Sequence, residues 1–386
     1  MNTEHTGIVG VGAVTGYGWG REQLWTGLLS GKPAATLVGG YGSTVDEPGW
    51  IVRVPEGGKP ADGTTRFARA MRGAAREAID DALDRGWVPG RRVGLLHAVV
   101  MGDPELIRST EPDPLHPLSV REHLGVFPST PASLLMQEYG FHGPAMNVSA
   151  MCTSGTAGLL TAKLWLDAGF VDDVVFVTTD LSATPNVVDV FVRLGVAITD
   201  AEPLDACRPF QSGSRGFVFG EAAVGYVLSN RTGNAYSTVL GGAMSHDGFH
   251  VTSVDPSLTH VRRCFDEALF SAGVGAADVA YLNAHGPGTA QCDAAEAAIL
   301  ASMFPETTRV FSVKPLTGHC QATAAAVETA VTVLSHERGV IPAPPIVADA
   351  HPQLLDGLTR SFDGLTVKSS LGLGGHNSVV VLSPGT

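Results

Sequence analysis

Cysteine is scarce in this chain: five residues among 386, an odd number, with no Cys-x-x-Cys pair. That scarcity excludes a disulfide framework and a zinc site built on paired thiolates. Aromatic residues amount to 7% and charged residues to only 16%. The chain has no uninterrupted apolar run of membrane-spanning length, and no basic N-terminal segment leads into an apolar core. Neither a membrane span nor an export signal is expected, and the expected location is the cytoplasm. Positive charge is also short: 25 Lys and Arg stand against 38 Asp and Glu, a formal net charge of −13. Such a balance disfavours nucleic acid and anionic membrane as partners.

Small and apolar residues are plentiful, with 47 glycines and 44% hydrophobic residues, a composition suited to tightly packed α/β layers. The length suffices for a large core. Hydrophobic patterning predicts a buried strand over Gly7–Val14, a helix near Arg21–Leu29, an amphipathic helix over Ala68–Leu83 and a strand from Val93. Asp103–Pro131, rich in proline and polar residues, reads as a cap or loop. The strand Ala145–Ala150 then runs into a helix, followed by strands at Val174–Thr179, Phe217–Phe219 and Ala223–Leu228. From Ser237 the scheme repeats: a strand, a helix over Leu258–Ala272, a strand over Val279–Asn283, a helix near Ala294–Met303, a strand at Val310–Val313 and a helix over Ala322–Leu334. Val340–Pro345 reads as an extended linker, and Leu365–Ser370 with Ser378–Leu382 as a closing hairpin. This order implies two similar βαβ-rich halves, 1–232 and 233–386, packed as five layers. The run Gly10-Val-Gly12-Ala-Val-Thr-Gly16 departs from the GxGxxG spacing and lacks a later acidic partner, so dinucleotide binding is not predicted.

Cys152 sits where the Ala145–Ala150 strand meets the helix beginning at Thr153. Backbone N–H groups at a helix start lack intrahelical partners, and with the helix dipole they favour a thiolate. Cys152 is thus a candidate nucleophile or, like Cys207, Cys264, Cys292 and Cys320, a small packing residue. His285 and His319 each follow a strand, in Tyr281-Leu-Asn-Ala-His285-Gly-Pro-Gly-Thr289 and Val310-Phe-Ser-Val-Lys314-Pro-Leu-Thr-Gly-His319. Functional side chains gather at such strand ends in α/β proteins. Arg66, Arg69, Arg72 and Arg76 share one side of a helix. They form either a solvated face with internal pairing or a basic docking patch for an acidic partner.

Ser149-Ala-Met-Cys152-Thr-Ser-Gly155, Ala284-His285-Gly-Pro-Gly-Thr289 and Lys314-Pro-Leu-Thr-Gly-His319 together resemble the β-ketoacyl synthases, the condensing enzymes of fatty-acid and polyketide synthesis. Flanking matches run from Gly7-Ile-Val-Gly-Val-Gly-Ala13 through Gly216-Phe-Val-Phe-Gly-Glu221 to Gly372-Leu-Gly-Gly-His-Asn377, and so span nearly the whole chain. The resemblance implies a thiolase-type α-β-α-β-α body in which Cys152 takes an acyl group from a carrier-protein thioester. His285 and His319 would stabilise the enolate formed when a malonyl-type thioester loses carbon dioxide. Lys314 would hold the second histidine with Glu328 as its partner. The N–H groups of Cys152 and Leu373 would make an oxyanion hole, while Thr252, Thr289, Leu371 and Leu373 would line the pantetheine channel. No metal or cofactor is implied, since the carrier's phosphopantetheine arm delivers the substrates. The implied partners are an acyl carrier protein and a second subunit, as a homodimer or as a heterodimer with a related chain-length subunit.

The chain departs from the family pattern at several places. Pro287 stands where threonine is usual, leucines 371 and 373 replace phenylalanines of the gate, and His376 replaces a common threonine. The stretch Cys207–Gly216 lacks an acidic residue and an Arg-Asp pair. These departures imply a specialised pathway. They leave open a non-decarboxylating acyltransferase or hydrolase on the same fold. A chain-length-determining subunit is the other alternative, although such subunits usually lack the cysteine retained here.

Overall fold

The structure, a computed structural model, describes residues 6–42, 44, 47–109, 119–231, 233–361 and 364–385. Ten strands organise it. The first five are β1 (Thr6–Thr15), β2 (Val93–Ala98), β3 (Ala145–Val148), β4 (Asp173–Asp180) and β5 (Ala222–Ser229). The second five are β6 (Ser237–His246), β7 (Val279–Asn283), β8 (Arg309–Phe311), β9 (Leu365–Gly372) and β10 (His376–Pro384). The helices that position the site are α1 (Arg66–Asp84), α2 (Ser154–Asp167), α3 (Thr259–Ala272), α4 (Ala290–Met303) and α5 (Ala324–Arg338).

The strands pair in the order β3-β2-β4-β5-β1-β6-β10-β9-β7-β8, with the short strand Gly18–Trp19 added beside β1. Counted outward from the centre, each half runs first, fifth, fourth, second, third. In each half the two inner pairings are antiparallel and the two outer ones parallel. The halves meet edge to edge across Thr6–Ile8 and Ser237–Val239. Residue 232, at the boundary expected from element order, lies outside the described residues.

Packing of the helices against the strands produces the layers. α1 lies on β1, β4 and β5, and α3 on β6 and β10, whereas α2 and α5 touch each other and strands of both halves. The result is α-β-α-β-α, with α2 and α5 as the central layer. A strand covered on both faces reads as a continuous apolar run, and β4 (DVVFVTTD) is buried along its whole length. Close approach explains the early glycines. A Cβ on Gly10 would fall 2.1 Å from the Ala78 carbonyl oxygen, and one on Gly12 would fall 2.2 Å from that of Ala74. Ala74 and Ala78 are one turn apart on α1, so the helix rests directly on the bare strand. At the centre, a Cβ on Gly155 of α2 would stand 2.5 Å from the Ala326 nitrogen of α5.

Several segments differ from the sequence reading. Phe217 and Phe219 form isolated bridges, to Ala197 and His319, in place of a regular strand, because the two residues pair with different segments of the chain. Val340–Pro342 pairs with Leu358–Arg360, so the expected linker is half of a small ribbon. Within the expected Asp103–Pro131 loop the chain forms helices Pro104–Ser109 and Val120–Gly125 and begins Ser129–Tyr139, while 110–118 lie outside the described residues. No helix among the described residues is long and apolar enough to cross a membrane.

Candidate active site

The two halves present matching corners. After β3 the chain turns through Met151–Thr153 into α2, and after β8 it turns through Gln321–Thr323 into α5. Met151 and Gln321 both hold the left-handed backbone, with φ of 51° and 44°. This conformation costs a residue with a side chain on the order of 1 kcal/mol or more, so its occurrence at both corners marks a tightly determined turn. Cys152 follows the first strained residue. His319 stands just before the second, and His285 caps the neighbouring strand β7.

Cys152, His285 and His319 line one cavity of about 410 Å³, together with Thr252, Thr289, Leu371 and Leu373. All seven residues assigned by resemblance to the reacting groups and the channel therefore face a common space. The lining mixes apolar side chains, among them Phe191, Leu194, Val196, Phe217 and the two leucines, with polar ones, among them Asp247, Thr252, Ser253, Gln291 and Asn377. Pro287 also lines the space, and Thr289 caps α4.

The histidine rings stand edge to face, 5.5 Å between centroids and 82° between planes. The Gln321 N–H donates to His319 Nδ1 at 3.0 Å, and the Lys314 ammonium faces His285 Nδ1 at 3.4 Å. Each Nδ1 thus accepts, which leaves each ring's proton on Nε2. Burial, reinforced by the Lys314 ammonium, holds both imidazoles well below their usual range, so both are neutral. The site accordingly holds two neutral Nε2–H donors.

Cys152 behaves differently from the sequence expectation. Burial pushes its thiol up to about 11, although the Leu373 N–H, the Lys314 charge and its own N–H all act in the opposite direction. Desolvation outweighs the helix start, so the resting sulfur is a thiol. The N–H groups that favour the thiolate, of Leu373 and Cys152, are the same two that the resemblance assigns to an oxyanion hole.

Lys314 and Glu328 form a buried ion pair as expected, but Lys314 donates to the carbonyl of His285, the first histidine, where the resemblance had it hold the second; His319 is held through Nδ1 by the Gln321 N–H. Three further side chains had no role in the sequence reading. Glu296 accepts the His285 and Gly286 N–H groups, both at 2.7 Å, and the Ser369 hydroxyl at 2.6 Å. Lys368 ion-pairs with Glu328 Oε2 at 2.7 Å. Asp180 accepts the Ala322 N–H at 3.2 Å, steadying the second corner. The available signal for Lys368 was a lysine inside a strand flanked by small and apolar residues.

The arginines of α1 do not form a free basic patch. Arg66 is only 8% exposed and meets Glu221 at 3.3 Å and the Val54 carbonyl at 2.8 Å. Arg69 pairs with Glu56 at 3.0 Å, while Arg72 and Arg76 share Asp62 and Glu138. The docking expectation is corrected here: α1 turns this face toward carboxylates of the same chain, which neutralise it.

Comparison with known proteins agrees with this geometry. The family model "Beta-ketoacyl synthase, N-terminal domain" matches residues 57–233, and "Beta-ketoacyl synthase, C-terminal domain" matches 236–346. The chain belongs to the β-ketoacyl synthase family, the ketosynthase condensing enzymes of fatty-acid and polyketide synthesis. It is 26% identical over 416 residues to 3-oxoacyl-(acyl-carrier-protein) synthase 2 of Coxiella burnetii, covering 99% of each chain. To the tetracenomycin polyketide synthase ketoacyl synthase alpha subunit of Streptomyces glaucescens it is 29% identical over 410 residues, covering 97% of this chain and 96% of that one. Among solved structures, a β-ketoacyl synthase from Burkholderia phymatum superposes with a TM-score of 0.86 at 23% identity, covering 99% of this chain and 100% of that one. A type II polyketide ketosynthase, in complex with its acyl-carrier protein and bound to the hexaketide, gives 0.85 at 22%, covering 98% and 99%.

Proposed function

We propose that the protein is a 3-oxoacyl-(acyl-carrier-protein) synthase of a specialised polyketide or fatty-acid-like pathway, joining a Cys152-bound acyl chain to a malonyl-type carrier thioester. One observation carries the reading: a thiol from the first half and two neutral Nε2–H donors from the second face the same cavity. In the first step Cys152 attacks the acyl thioester, a new C–S bond forms, and the carrier thiol leaves with the proton that Cys152 gives up. The N–H groups of Cys152 and Leu373 meet the tetrahedral oxyanion. In the second step the extender's C–C bond to its carboxylate breaks, carbon dioxide departs, and the electron pair passes into an enolate. His285 and His319 hold that enolate oxygen. Preorganised donors of this kind contribute about 3–4 kcal/mol each where charge develops. The enolate carbon then attacks the acyl-cysteine, the C–S bond breaks, and the sulfur leaves as thiolate and takes a proton from solvent water. The product is a 3-oxoacyl thioester two carbons longer.

The chemistry draws on no metal or cofactor other than the carrier's phosphopantetheine arm, for which Thr252 and Thr289 supply hydroxyls at the cavity wall. Pro287 removes a third hydroxyl, and the leucines at 371 and 373 make a smaller gate, both in keeping with a specialised substrate. Partners are an acyl carrier protein and a second subunit, either another copy or a related chain. Structural neighbours include the ishigamide ketosynthase/chain length factor.

The half-reactions separate the roles. Cys152→Ala is expected to abolish covalent acyl loading seen by intact-protein mass spectrometry while retaining slow malonyl decarboxylation. His285→Ala and His319→Ala are expected to load acyl groups and to lose decarboxylation by about 10²–10³-fold. Acyl loading that persists without Cys152 would refute the assigned nucleophile.

A further inference from the structure

The backbone around His285 is held almost entirely by side chains from other elements. Glu296 takes the N–H groups of His285 and Gly286, Lys314 takes the His285 carbonyl, and Ser312 donates to the Gly286 carbonyl at 2.9 Å. The remaining carbonyl, that of Ala284, faces the Lys368 ammonium at 3.5 Å. Lys368 lies in β9, between β7 and β10, and is wholly buried. A buried ammonium is strongly disfavoured unless its hydrogens and charge are met. Here it faces Glu328 Oε2 at 2.7 Å, the Ser369 carbonyl and the Ala284 carbonyl.

We propose that Lys368 is a positioning residue for the extender half-reaction, acting through Glu328 and Lys314 on His285. Glu328 offers one carboxylate oxygen to each lysine, Oε1 to Lys314 and Oε2 to Lys368. With Oε2 occupied, Lys314 engages Glu328 through Oε1 alone and keeps hydrogens for the His285 carbonyl and Nδ1. That contact fixes the Nε2–H tautomer and its direction. Without Lys368, Glu328 would draw Lys314 onto both oxygens, and the contact to Nδ1 would weaken. Charge acts in the same direction. Lys314 and Lys368 both pair with Glu328, and the charge of Lys368 also acts on Glu296, so losing one cation leaves the acidic groups in excess beside the forming enolate. Lys368 also contributes to holding His285 and His319 neutral.

This role rests on the reading of His285 as a donor to the extender, and its test separates the two. Wild type and Lys368→Met are compared for acyl loading of Cys152 and for carbon dioxide release from malonyl-carrier protein, with full pH profiles. The variant is expected to load acyl groups within about twofold of wild type, and to lose about ten- to a hundredfold in kcat for decarboxylation with KM little changed. The acid limb of its profile is expected to move to higher pH, because His285 loses a neighbouring cation. Equal decarboxylation in wild type and variant, or equal loss in both half-reactions with an unmoved profile, would overturn the role of Lys368 alone. Absence of decarboxylation in wild type would overturn the condensing reading, and this role with it. If Lys368→Met does not fold, Lys368→Gln is read in the same way, and failure of both to fold would make the lysine purely structural and overturn the proposal.

Discussion

At the scale of single residues, the contrast between Cys152 and the two histidines decides the chemistry. Burial keeps the imidazoles neutral, which suits donors, and it keeps the free thiol protonated. The rate of Cys152 alkylation by iodoacetamide is accordingly expected to rise with pH toward a midpoint near 11, where the thiol titrates. A midpoint below that of an ordinary cysteine would show that the helix start prevails over desolvation. These three residues were legible in the sequence because each sits in a short glycine-marked turn after a strand. Lys368 and Glu296 were not. A lysine in Thr366-Val-Lys368-Ser-Ser370 looks like an outward side chain of an alternating strand, and only the covering of β9 by α5 turns it into a buried partner of Glu328.

At the scale of elements, the site depends on how closely α2 and α5 approach, since one begins beside Cys152 and the other beyond His319. Gly155→Ala would set a methyl group 2.5 Å from the Ala326 nitrogen and 3.1 Å from the Ala325 Cβ. We expect a loss of about 1–3 kcal/mol in denaturant unfolding, with condensing activity falling further than stability accounts for. Unchanged activity in a folded variant would show that the corners are placed independently. Arg66→Met tests the corrected reading of α1. It strips a partner from Glu221, a carboxyl that is 1% exposed and pushed up to about 7 by burial. The expected cost is about 3 kcal/mol of stability, with KM for the carrier protein unchanged. A large rise in KM without loss of stability would restore docking to this face. The order of strands and helices was readable from periodicity. The loop bridges at Phe217 and Phe219 were not, because their partners lie about 20 residues earlier and 100 residues later in the chain.

At the scale of the whole molecule, the repeated strand order explains how one chain builds a two-part site: each half contributes a corner, and the central helix layer brings the corners together. The depth of the core that does this also buries histidines remote from the reaction. His97 in β2 is fully buried and pushed down to about 4 by desolvation. Unfolding exposes it to water, where it takes up a proton below about 6.5, so its contribution to stability is present above that pH and declines as pH falls toward 4. Buried carboxyls such as Glu221, pushed up to about 7, act in the opposite sense, so the comparison must be made against a variant. Relative to His97→Phe, the wild type is expected to lose about 1.4 kcal/mol of stability per pH unit between 6.5 and 4, read from denaturant midpoints. A pH-independent difference would contradict a neutral buried ring. For the joint working of the two halves, the most direct measurement is the mass of the carrier-bound product after incubation with acyl-carrier and malonyl-carrier thioesters. The account predicts a 3-oxoacyl chain lengthened by two carbons with release of carbon dioxide; free acid, or an unextended acyl group moved to a new acceptor, would contradict it.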